Sequence, residues 1–106
     1  MAMRNVTALV PCKISKGGFP SERVGEVATA YSGAVKVVGD ARYFHPSESD
    51  PGVGEVEAHV VREDIEVMTI DVIFPDNQFL RIRREGVRLL HEAMPQEFIK
   101  RALGER

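Results

Sequence analysis

Through most of the chain, apolar residues recur at every second position, the spacing of strands with one buried face. Val6, Ala8, Val10, Cys12 and Ile14 share one face of a first strand, and Pro11 within it predicts an edge or a bulge there. A second strand is expected over residues 24–31 and a third over 34–38, joined by a Ser32-Gly33 turn, with residues 41–44 continuing the sheet. Two stretches break the alternation. Residues 15–22 carry Gly17, Gly18 and Pro20, and residues 45–54 carry Pro46, Pro51, Gly52 and Gly54. Both read as loops.

The second half of the chain permits a sharper test. Pro75-Asp76-Asn77 suits a three-residue hairpin loop, with Pro fixing the first φ and Asn tolerating a positive one. That loop pairs Phe74 with Gln78, Val72 with Leu80, and Ile70 with Ile82 on one face. The other face then pairs Ile73 with Phe79, Asp71 with Arg81, and Thr69 with Arg83. A different register would place Val72 opposite Arg81 and mix the faces. Upstream, a loop around Glu63-Asp64-Ile65 would set Val60 against Met68, Ala58 against Ile70, and Val56 against Val72. Glu57, His59 and Val61 then fall on the opposite face beside Asp71, Thr69 and Val67. The expectation is a three-stranded meander over residues 54–84, with Val61, Val67, Ile73 and Phe79 on its outer face.

Beyond residue 84, Pro95 suits the first turn of a helix and Gly104 the residue after its end. Phe98, Ile99, Ala102 and Leu103 form an apolar stripe at helical spacing, so a short helix is expected over about residues 95–103. It is a candidate cover for the outer face. Residues 86–94 fit a strand or a helix. The whole is expected to be one mainly β domain over residues 1–106, a small antiparallel barrel or rolled sheet with a C-terminal helix. The hairpin series resembles that of SH3-like barrels in architecture, with no family motif attached.

Composition narrows the function classes. A chain of 106 residues fits one domain able to bury a core. The formal net charge of −2 offers no global attraction to nucleic acid or to an anionic membrane. No apolar run approaches the ~20 residues of a membrane-spanning helix. One Cys excludes an intrachain disulfide, and a cytoplasmic location is the expectation.

The candidate chemistry is sparse. Cys12 is in phase with Val10 and Ile14 and reads as an inert core thiol. His45, His59 and His91 lie too far apart for a short-range metal motif. No metal or other cofactor is called for. Glu57, His59 and Asp71 would meet across strands, which could serve acid–base work, although Arg81 bridging two acids on a solvated face is the plainer expectation. The loop of residues 16–22 lacks the glycine spacing and Gly-Lys-Ser/Thr ending of a phosphate-binding loop. Phe19 on it either tucks into the core, the preferred placement, or meets a partner.

The function that fits best is a non-catalytic binding or assembly module. It would engage another protein, or a second copy of itself, through Phe19, Val61, Val67, Ile73 and Phe79. A nucleic-acid-binding barrel using Arg81, Arg83, Arg84 and Arg88, extended by Lys100 and Arg101, is the alternative, disfavoured by the overall acidity. A small enzyme using Glu57, His59 and Asp71 is the third.

Overall fold

The computed structural model describes residues 6–90. The expected C-terminal helix, His91, Lys100 and Arg101 lie outside the described residues. Among the described residues, eight strands form one curled, half-barrel antiparallel sheet: β1 (Thr7–Lys16), β2 (Glu22–Ala28), β3 (Ala34–Asp40), β4 (Phe44–Pro46), β5 (Val53–Asp64), β6 (Thr69–Ile73), β7 (Phe79–Arg83) and β8 (Arg88–Leu90). The main path runs β3-β2-β1-β5-β6-β7, with β4 added to β5 and β8 to β1. The ambiguous stretch after residue 86 is therefore strand up to Leu90. Among the described residues, helix is confined to a single 3-10 turn, Ala41–Tyr43, and no helix is long and apolar enough to cross a membrane.

That turn corrects the expected strand over residues 41–44. The Asp40 carboxylate accepts from Arg42 N–H at 2.9 Å, caps the turn and bends the chain before Phe44. Only from Phe44 onward does the chain pair, with β5.

β1 and β5 are long because each changes neighbours along its length. β1 pairs with β5 on one side from Thr7 to Lys13; on the other, residues 7–9 pair with β8 and residues 13–16 with β2. Pro11 occupies the gap. Ile14 N–H donates to Gly52 C=O at 2.8 Å, so the even positions of β1 bond toward β5 and the odd ones away from it. The N–H that Pro11 lacks would therefore point between β8 and β2, where no acceptor strand runs.

The β6–β7 hairpin has the expected register: Ile73 with Phe79, Val72 with Leu80, Asp71 with Arg81, Ile70 with Ile82, and Thr69 with Arg83. Phe74 N–H donates to Gln78 C=O at 2.9 Å, and Asn77 takes φ +70°, the left-handed conformation that Asn tolerates.

The β5–β6 register differs from expectation. Val60 pairs with Val72 and His59 with Ile73, a slip of four residues; Val61 then bulges, and Arg62 faces Asp71. Val60 does not meet Met68, which is exposed in the turn of residues 65–68. The turn forms later than expected because Asp64 Oδ1 accepts from Glu66 N–H at 3.1 Å and, more weakly, from Val67 N–H at 3.4 Å. Met68 then takes φ +54° to re-enter the sheet. A four-residue slip preserves side-chain parity, so Val56 and Ala58 remain buried against Ile70, Val72 and Ile82.

The curl brings β7 back toward β2 and β3, and a seam of few bonds joins them. Ala30 N–H donates to Arg81 C=O at 2.9 Å. Asp76 Oδ2 accepts from Val38 N–H at 2.9 Å, and Gln78 Nε2 donates to Lys36 C=O at 2.7 Å. Inside lies a core in which Phe74, Ile70, Ile82, Val10, Val37 and Val56 are almost wholly sequestered.

Candidate functional site

Three turns meet at one end of the curled sheet. The β2–β3 turn presents Tyr31. Thr29 braces it, Oγ1 donating to Gly33 C=O at 2.6 Å and accepting from Ser32 N–H at 3.1 Å, with Gly33 at φ +88°. The β5–β6 turn presents Ile65, Val67 and Met68 on the Asp64 brace. The β7–β8 turn is clamped to it, Arg84 N–H donating to Met68 C=O at 2.9 Å and Arg84 Nε to Glu63 Oε2 at 2.7 Å, and is closed on itself by Arg84 Nη1 to Val87 C=O at 2.7 Å.

Between these turns opens a groove of about 770 Å³. Tyr31, Ile65, Val67 and Met68 line it and are 72%, 75%, 54% and 55% exposed. Scattered exposed apolar residues are ordinary, but four converging on one concavity are not. The rim holds three acids, Glu63, Asp64 and Glu85, against two arginines, Arg83 and Arg84.

The expected contact residues do not form one continuous patch. Val67 belongs to the groove. Ile73 and Phe79 pair across strands at the opposite end of β6 and β7, roughly 13 Å from Thr69 at a strand's rise per residue. Between those ends lies the Asp71–Arg81 ion pair, and Val61 sits exposed on its bulge. Outward-facing registry links Leu90, Thr7, His59, Ile73 and Phe79 in one cross-strand row, but polar Thr7 and His59 interrupt it.

Phe19 lies on the β1–β2 loop, outside the lining of the groove, and is 70% exposed, so the preferred tucked placement is corrected. Its loop is too tightly closed to fold the ring inward. Gly17 N–H and Glu22 N–H make 2.9 Å bonds to Glu22 and Phe19 carbonyls, Gly18 N–H bonds Glu22 Oε1 at 2.6 Å, and Arg23 Nη1 ties Pro20 C=O at 2.9 Å.

The titratable candidates are dispersed. Glu57 Oε2 lies 2.8 Å from His45 Nε2, not against Asp71. His59 faces Ile73 and Thr7. Asp71 receives Arg81 through two bonds of 2.8 and 3.2 Å, with Arg62 at 3.8 Å. The hydrogen bond and charge of Arg81, reinforced by Arg62, hold the Asp71 carboxyl below its ordinary pKa, so it remains an ionised ion-pair partner. The slipped register is what separates Glu57 and His59 from Asp71. Burial and, secondarily, Glu55 push the Cys12 thiol up to about 11, which leaves no useful thiolate at neutral pH. Among the described residues, no group of three or more His, Cys, Asp or Glu side chains is arranged to hold a metal ion.

The arginines are mostly engaged as well. Arg81 binds Asp71, Arg84 binds Glu63, and Arg88 grips Glu55 through bonds of 2.9 and 2.7 Å, which hold Glu55 below its ordinary pKa. Arg83 lies on the groove rim.

Sequence reasoning missed Tyr31, Ile65 and Met68, assigning them to strand, loop and core. A usable signal was present: Ile65, Val67 and Met68 crowd large apolar groups into a segment that must turn. No family model matches the chain, and no curated protein or solved structure was found to resemble it.

Proposed function

We propose that this chain is a non-catalytic binding module that recognises another protein through the groove formed by Tyr31, Ile65, Val67 and Met68. One observation carries this: four large apolar side chains share one concavity, on turns whose backbones are fixed by Asp64, Thr29 and Arg84. Turns with fixed backbones lose little backbone freedom on binding, and a charged rim excludes water and sets orientation. The scaffold is a small barrel-like sheet used as a platform for its turns, as SH3-like architectures are. Nucleic-acid binding has less support, because Arg81, Arg84 and Arg88 already have carboxylate partners.

Selection of a random peptide library on the folded full chain tests the proposal. Enriched peptides are expected to carry apolar anchors and to bind Ile65→Asp at least roughly tenfold more weakly. Failure to enrich any peptide, or enrichment indifferent to both Ile65→Asp and Val67→Asp, would overturn it.

A further inference from the structure

Resting on that assignment of the groove, we infer that its occupant is a second copy of this chain, which inserts Phe19 into it head to tail. The molecule carries an aromatic knob and an apolar hole. Phe19 projects from a loop whose backbone is held by Glu22 and Arg23, so the ring is presented from an ordered backbone. An exposed aromatic on an ordered backbone can bury a large apolar area at an interface with little backbone ordering to offset it. The groove, at about 770 Å³, is large enough to take a phenyl ring between Tyr31, Ile65, Val67 and Met68, where ring-on-ring and sulfur–ring contacts add to burial.

Charge favours the same pairing. Lys16, Arg23 and Arg42 lie around the knob against Glu22 and its cross-strand partner Asp40, a net charge of +1, whereas three acids face two arginines at the rim of the hole, a net charge of −1. Arg84 is committed to Glu63, and Asp64 to its own turn and to Arg62, so Glu85, beside Arg83, is the rim acid left to meet the basic knob.

Knob and hole cannot meet within one molecule. Phe19 precedes the start of β2, while Tyr31 follows its end, and the seven residues of β2 alone span about 23 Å of extended chain. A contact between two different patches is heterologous, so it propagates into rings or open chains rather than stopping at a twofold dimer.

Complementation of two broken surfaces is the test. Sedimentation velocity on the full wild-type chain is expected to show association that grows with concentration. Phe19→Ser removes the knob and Ile65→Asp spoils the hole; each alone is expected to remain monomeric, with self-association weakened roughly tenfold or more. Mixed in equal amounts, the two should form a one-to-one heterodimer and nothing larger, because one supplies an intact hole and the other an intact knob. Both positions are exposed, and unchanged circular dichroism confirms folding; Phe19→Lys and Val67→Asp serve as a second pair. A wild type that is monomeric at millimolar concentration overturns the inference, as does a mixture that stays monomeric or variants that associate like wild type. A monomeric wild type that still selects groove-dependent peptides would leave the groove a binding site and remove only self-association.

Discussion

Asp71 illustrates how one side chain sets the character of a sheet face. It lies on the outer face, yet Arg81 and Arg62 cover it so that only 5% of the residue is exposed. Folding lowers its pKa, through the Arg81 hydrogen bond first. A group so shifted adds stability above its unfolded pKa, near 4, and loses that contribution as pH falls through its folded value. Asp71→Asn should therefore melt a few degrees below wild type at pH 7, and the gap should close on acidification below pH 4. Thermal melts of both proteins across that range check it; a gap independent of pH would contradict the ion pair as its source. Cys12 makes the opposite case. Its thiol, pushed up to about 11 by burial, should resist alkylation in native buffer at neutral pH and react promptly in denaturant. At Asn77, φ of +70° suits an amide side chain but not a β-branched one, so Asn77→Val should cost about 1–2 kcal/mol in chemical denaturation.

At the level of elements, the two hairpins of the second half show what alternation does and does not encode. The β6–β7 register was legible because Pro75, Asp76 and Asn77 define the loop, and any odd slip would have buried Arg81. The β5–β6 register was not, because Val56, Ala58 and Val60 are equivalent partners for an apolar face and an even slip leaves that face intact. What decides it is local: the Asp64 carboxylate holding Glu66 and Val67 N–H, and a bulge at Val61 that no binary pattern marks. Pro11 was legible as an interruption, though which strands it separates required the three-dimensional path. The seam between β3 and the β6–β7 loop depends on side chains in place of a full backbone ladder. Asp76→Ala should accordingly accelerate hydrogen exchange at Val38 N–H, whose acceptor it removes, while amides paired between β1 and β5 keep their protection. Equal acceleration in both places would mean that the change unfolds the sheet instead of releasing one edge.

Across the whole molecule, a single core stabilises a sheet whose turns are free to vary. Phe74 is the largest fully buried side chain among the described residues, 1% exposed, and Phe74→Ala should cost about 3–5 kcal/mol, a large share of the roughly 5–15 kcal/mol that holds a small domain together. The inner face, with Val10, Val56, Ile70, Val72 and Ile82, was readable in the sequence because burial enforces period two. The groove was readable only through Val67, since Tyr31, Ile65 and Met68 are brought together by three turns distant in sequence, and turn positions carry no periodic signal. Phe19 was visible as a candidate, but its exposure follows from a loop closed by Glu22 and Arg23, which composition does not reveal. In the proposed assembly, the end bearing Tyr31, Ile65, Val67 and Met68 is the binding surface and Phe19 is its ligand. Amide resonances of the full chain, followed through a dilution series, test this most directly. Shifts should move together in two places, at residues 17–21 and at Tyr31 with residues 64–68, while the cross-strand row through Thr7, His59 and Ile73 stays still. Spectra that do not change with concentration, or changes centred on that row and on Phe79, would contradict it.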